Sequence, residues 1–283
     1  MRMAQPDFVV AAPPETGGAR LVAVLASRPG LLLTDEPPGP SAAGKATDWP
    51  GAADEPAEAQ ADDGWEAGRT TGTPDRPRMP AGRRHGVVAP YLLADFAAQR
   101  RLHERTAYPR LLVALRDPVD RAYAAWRHAR ATGAEPLTDF VAALLAEPER
   151  AEAGYGWPWR YAELGRYGLQ LRRLYTLYSP GQVLLVQYQD LAAEPAAVLD
   201  RVCGFLGVRK GAARDPRHPR IGTGPAAADG PGWPVDRPPP EVRAQVIGLF
   251  QEDIHLLETV TNRSFETWLT PSGETAPARA GDT

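Results

Sequence analysis

The sequence predicts a doubly wound α/β domain built on a parallel sheet. Two observations carry that prediction. Three short apolar runs, FVVA at 8–11, LLVAL at 111–115 and VLLVQY at 183–188, are continuous rather than alternating, as suits strands covered on both faces. Helical patterns lie between and after them, so strand and helix alternate along the chain.

The first run leads into RLVAVLAS (20–27) and the second into DRAYAAWRHARAT (120–132). Thr138 is the expected N-cap of the helix beginning DFVAALLAE. Residues 161–178 space Leu164, Tyr167, Leu171, Leu174 and Leu177 by threes and fours, the mark of an amphipathic helix. Pro195 opens AAVLDRVCGFLG and Pro240 opens EVRAQVIGLFQEDIHLLE, because the fixed φ of proline suits a first turn. Between these elements, residues 36–84 are rich in Pro, Gly, Ala and charge with almost no aliphatic side chains. Such a segment cannot bury enough surface to offset its ordering entropy, so a long mobile loop or lid is expected at about 37–84. The tail is similar in composition, which leaves one domain over 1–270 and a disordered tail over 271–283.

Composition sets further bounds. The net charge of −3 gives no global reason to expect nucleic acid or an anionic membrane as partner. No apolar run approaches the roughly 20 residues of a membrane helix. The start, MRMAQPDF, has no signal-peptide core, and a cytoplasmic protein is expected. The single cysteine, Cys203, sits on an apolar helix face in RVCGFLG and reads as a buried structural thiol. No metal is expected.

One stretch carries chemistry. LLVALRDPVDRAYAAWRHAR ends a strand in Arg116 and continues with Asp117, Pro118, Asp120, Arg121, Ala122 and Tyr123. It resembles the 3′-phosphate-binding motif of sulfotransferases that use 3′-phosphoadenosine 5′-phosphosulfate (PAPS), in which a strand-terminal Arg precedes D-P-x-[DE]-R-[AL]-[YW]-S. APYLL (89–93), the stretch 165–208 and QEDIHLLETVTNRSFETW (251–268) resemble other segments of the same family, in the style of bacterial members related to the heparan sulfate sulfotransferases. The resemblance implies a three-layer, P-loop-like fold with a central parallel sheet flanked by helices. It also implies PAPS as sulfuryl donor and 3′-phosphoadenosine 5′-phosphate (PAP) as product. Arg116 would then fork onto the 3′-phosphate through two charge-assisted hydrogen bonds.

The same alignment sets PPETGGA against the family's P-K-S-G-T-T loop, which wraps the 5′-phosphosulfate. Pro14 and Gly17 match; Thr16 takes the Ser position, and Gly18 and Ala19 take the Thr-Thr pair. Glu15 stands where the family has its lysine, and Ala124 where it has the Ser that bonds the 3′-phosphate. Opposite charges about 4 Å apart are worth roughly 4 kcal/mol at an effective dielectric near 20, so a Glu facing the sulfuryl group would slow transfer by orders of magnitude. Two arrangements would accommodate it. Glu15 can point away while the N–H groups of 16–19 and the helix N-terminus form an anion nest. Alternatively, Arg20, Arg83 or Arg84 can restore the charge.

The resemblance further implies that Glu36, in LLLTDEPP after a short strand, is the base that takes the acceptor hydroxyl's proton, with Asp35 in a lysine position. His85 is the second base candidate. Arg220, in RHPRIGTGPAA (217–227), belongs to the loop expected to close over the adenine. His103, His128, His218 and His255 have no evident chemical partner and read as surface residues. GPSAAGKAT (39–47) nearly spells a nucleotide-triphosphate loop, but it lies outside any strand–helix context, leaving Lys45 at most a lid residue. The expected activity is sulfuryl transfer from PAPS to a hydroxyl of a small molecule, a secondary metabolite or glycan. The alternative is a homologue that kept the fold and lost that transfer.

Overall fold

The computed structural model describes residues 6–28, 30–35, 83–106, 108–209 and 237–270. Five strands, β1 (Phe8–Ala11), β2 (Leu31–Asp35), β3 (Arg84–Val88), β4 (Arg110–Leu115) and β5 (Val183–Gln187), form one parallel sheet in the order β2-β3-β1-β4-β5. The expected runs at 8–11, 111–115 and 183–188 are β1, β4 and β5. Tyr188 is corrected from the last residue of a strand to the first residue of a helix.

Each face of the sheet has its own helical layer. α1 (Gly18–Ala26) and α8 (Pro195–Leu206) bury Leu21, Leu25, Val198, Val202 and Cys203 against Phe8, Val10, Leu112 and Ala114. On the other face α3 (Pro118–Ala131), α4 (Phe140–Leu145), α6 (Tyr167–Leu174) and α10 (Gly248–Thr261) pack on Val9, Ala11, Leu111, Val113 and Leu115. The alternating side chains of β1 and β4 thus feed two cores, which is why both strands are apolar at nearly every position. Truncating a fully buried leucine such as Leu112 should cost about 2–5 kcal/mol. The remaining helices are α2 (Phe96–Arg105), α5 (Glu147–Glu152), α7 (Tyr188–Ala193) and α9 (Pro240–Val246).

Strand β3 has no counterpart in the sequence reading. RHGVV opens with two polar residues and carries a glycine in its middle, both poor strand signals. That glycine is required, since a Cβ on Gly86 would stand 2.2 Å from the Phe8 ring of the paired strand.

Three helix boundaries also differ from expectation. Asp139, not Thr138, caps α4, accepting from the Ala142 N–H at 2.7 Å. Residues 163–165 form a 3₁₀ turn, and α6 starts at Tyr167, where Asp253 of α10 accepts from the N–H groups of Gly168 and Leu169. The cap is tertiary and leaves no local signature. The helix opened by Pro240 breaks at Ile247–Gly248 into α9 and α10. No described helix is long and apolar enough to cross a membrane. Residues 36–82, 210–236 and 271–283 lie outside the described residues, and with them the low-complexity segment and the tail.

Candidate functional site

The sheet order fixes where a ligand can bind. The chain leaves β1 for α1 on one face and leaves β4 for α3 on the other, although the two strands are neighbours. Connections that diverge to opposite faces open a crevice at the carboxyl ends of the strands, the place where open α/β sheets hold nucleotides. Residues 12–17 form one wall of that crevice and Arg116 the other.

The loop after β1 is a tight, partly left-handed turn. Glu15 has φ +67° and Gly17 has φ +83°, the former at a cost of about 1 kcal/mol for a side-chain-bearing residue. A Cβ on Gly17 would meet the Tyr188 ring at 2.8 Å, so glycine is needed for both conformation and space. Thr16 is fully buried, and its N–H and hydroxyl both turn back onto the Pro13 carbonyl, at 3.2 and 2.6 Å. The hydroxyl that the alignment assigns to phosphate is therefore engaged within the loop. Gly18 and Ala19 open α1, so their N–H groups have no intrahelical acceptor and lie at the positive end of the helix dipole.

Arg116 follows the last residue of β4 and is almost wholly buried. Its guanidinium donates to the Glu15 carbonyl at 3.0 Å and lies over the Tyr188 ring, 4.6 Å from the centroid. Next along the chain, Asp117 caps α3 by accepting from the N–H groups of Val119 and Asp120. Asp117 and Asp120 are both gripped by the buried Arg243 of α9, which also donates to the Trp268 and Thr270 carbonyls. All five guanidinium donors of Arg243 are thereby used. Arg237 adds a 3.4 Å ion pair to Asp120. Burial and the nearby Asp117 still push the Asp120 carboxyl up to about 6, against the pull of Arg243, Arg116 and Arg237.

Arg121, one turn into α3, is fully buried beneath the loop. It donates to the Pro14 carbonyl at 3.5 Å and to the Tyr161 carbonyl. The hydroxyl of Tyr161 is in turn anchored on Glu135, itself held by a bidentate pair with Arg150. Burial lowers the Arg121 pKa, and Tyr167, Glu147 and Glu15 oppose that shift. Glu15 is thus one of the acidic groups whose charge acts on Arg121.

The sequence-derived candidates divide into three groups. Pro14, Thr16, Gly17, Gly18, Ala19, Arg20 and Arg116 come together around the crevice, with Arg20 on the first turn of α1, and Ala124 is buried on α3. Glu36, Arg220 and Lys45 lie outside the described residues. His85, Arg83 and Arg84 lie elsewhere. The register places His85 level with Asp7, whose carboxylate accepts from its N–H, while the ring bonds Thr34 at 3.0 Å. Its backbone is thus four residues, about 13 Å, short of the strand end where the loop begins. Burial lowers the imidazole pKa against the pull of Asp7. Arg84 reaches Asp7 at 3.6 Å at the same end of the sheet, and Arg83 directly precedes it, so neither restores charge at position 15. Sequence reasoning missed Tyr188 and Arg243. The first could have been found as the residue leaving an apolar strand, but the second carries no local signal.

Comparison with known proteins agrees with this geometry. Residues 104–216 match the family described as sulfotransferase domain. A stretch of 102 residues is 32% identical to the human bifunctional heparan sulfate N-deacetylase/N-sulfotransferase 2, covering 35% of this chain and 11% of the relative. The mouse N-deacetylase/N-sulfotransferase 3 is 32% identical over 106 residues, covering 35% of this chain and 12% of the relative. The chain thus spans about a tenth of the length of these curated relatives. The crystal structure of a sulfotransferase from Alicyclobacillus acidocaldarius superposes with a TM-score of 0.69, over 94% of this chain and 99% of that one, at 22% identity. The three-layer fold expected from the resemblance is borne out.

Proposed function

We propose, from the premise that this chain belongs to the sulfotransferase family, that it moves a sulfuryl group from PAPS to a hydroxyl of a small molecule, a secondary metabolite or glycan. The observation that carries the reading is the pairing of two anion-binding points on adjacent strands. Arg116 at the end of β4 suits the 3′-phosphate, and the open N-terminus of α1 after β1 suits the 5′-phosphosulfate. In this reading the N–H groups of Gly18 and Ala19 and the Arg20 side chain hold the bridging phosphate. Glu36, the next residue in sequence after β2, takes the proton as the acceptor oxygen bonds to sulfur. The sulfur–oxygen bond to the 5′-phosphate breaks in line, and PAP leaves. No protein-bound metal takes part in these steps.

The test is a calorimetric titration with PAP, using adenosine diphosphate as the control that lacks the 3′-phosphate. Micromolar binding that depends on the 3′-phosphate supports the reading; no binding at millimolar nucleotide overturns it.

A second reading has specific support. Glu15 replaces the loop lysine, Ala124 replaces the helix serine, and the Thr16 hydroxyl is spent on Pro13. A homologue that kept the fold and lost the transfer would show these departures. Restoring the serine separates the two. In a working site, Ala124→Ser adds one hydrogen bond to a charged group, about 1.5 kcal/mol at the lower end, and tightens PAP about tenfold without affecting adenosine diphosphate. In a site that no longer takes the nucleotide, the substitution changes nothing measurable by the same titration.

A further inference from the structure

We infer that Arg121 supplies from beneath the loop the positive charge that position 15 lacks, acting as a positioning residue for the 5′-phosphosulfate. The inference rests on the sulfotransferase reading above. Arg121 is fully buried, and its hydrogen bonds among the described residues run to two neutral carbonyls, those of Pro14 and Tyr161. Its Nε is buried and bonds nothing among the described residues. None of the ion pairs among the described residues includes it, although Glu15 and Glu147 act on it at longer range. A buried cation with no anion at ion-pair distance is unfavourable, and negative charge that comes close stabilises it. The part of the crevice nearest Arg121 is the loop it already grips through Pro14.

The geometry of that grip matters as much as its charge. Arg121 draws in the Pro14 carbonyl and Arg116 draws in the next one, of Glu15. The Thr16 N–H turns back onto the Pro13 carbonyl, so the N–H groups left for the ligand side are those of Gly18 and Ala19 at the start of α1. Glu15 is one of the acidic groups acting on Arg121, so part of the charge reversal read from the sequence is offset from below.

A residue that only staples α3 to the loop would give the same contacts, and three variants distinguish the roles. Arg121→Gln keeps donors and loses charge; Arg121→Lys keeps charge and loses the fork; Arg121→Met removes both and serves as the reference. Each is titrated with adenosine diphosphate, which has the 5′ group only, and with adenosine 3′-monophosphate, which has the 3′ group only. Thermal unfolding is followed in parallel. The expected result is that Arg121→Gln weakens adenosine diphosphate at least about tenfold. Adenosine 3′-monophosphate changes less than about twofold, and Arg121→Lys recovers most of the loss. Wild-type affinity in Arg121→Gln, or equal losses for the two nucleotides, would overturn the inference while leaving the sulfotransferase reading intact. Failure of the wild type to bind PAP overturns that reading, and the inference with it. If Arg121→Met does not fold, the Gln and Lys pair still decides between charge and staple.

Discussion

Arg116→Ala is expected to abolish the preference for PAP over adenosine diphosphate. A strand-terminal guanidinium that forks onto a phosphate makes two charge-assisted hydrogen bonds, each worth about 1.5–3 kcal/mol. Loss of both at the lower end is about 3 kcal/mol, or roughly a hundredfold in affinity. The same side chain donates to the Glu15 carbonyl and lies over the Tyr188 ring, so the substitution also loosens the loop. That second effect falls on both nucleotides alike, whereas the first falls only on the one with a 3′-phosphate. The ratio of the two dissociation constants, measured by titration, therefore isolates the role of Arg116. Arg116→Lys should recover little of it, because an ammonium cannot reproduce the planar fork. An unchanged ratio in Arg116→Ala would remove Arg116 from the nucleotide site.

What the sequence discloses about this site follows from how local each signal is. Arg116 is legible because strand, Arg, Asp cap and Pro at the first helical position form one continuous run, each part with its own local physics. The loop at 12–17 is legible in outline for the same reason. The surroundings of Glu15 are not, because Arg121, whose charge Glu15 acts on, comes from α3, over a hundred positions along the chain. His85 misleads for the opposite reason. It adjoins a family-like segment in sequence, but β3 was not recognised as a strand, and only the pairing of Gly86 with Phe8 reveals that His85 lies toward the amino end of the sheet. Arg243 is the extreme case. Nothing in PPPEVRAQV marks an arginine whose five donors close on α3 and on the turn at 266–269. Periodicity reports which face is apolar, and so it cannot announce a charge buried among charges.

Arg243→Ala is expected to have the largest effect on stability. It leaves Asp117 and Asp120, both almost wholly buried, without the cation they share. Removing one partner of a buried ionic cluster costs about 3–5 kcal/mol, which for a chain of this size corresponds to a fall in Tm of roughly 10 °C. Arg243→Lys should recover only part, since three donors cannot serve Asp117, Asp120 and the Trp268 and Thr270 carbonyls together. The deficit should depend on pH in a definite direction. The Asp120 carboxyl is raised to about 6 in the folded protein, above its ordinary value, so between those two pKa values the folded state holds a proton that the unfolded state has lost. Its contribution to stability therefore declines as pH rises through that window. Arg243 is one of the groups holding that pKa down, and its removal moves the upper edge of the window higher. Thermal unfolding of Arg243→Ala should accordingly show its greatest deficit above about pH 6 and a smaller one near pH 5. A deficit that is flat with pH would mean that the lost bonds to the carbonyls, rather than the stranded carboxylates, account for the damage. Because Asp117 caps the helix that begins just after Arg116, the same variant should also weaken PAP binding at temperatures where it remains folded. The staple at α9 would then hold Arg116 in place without touching the nucleotide.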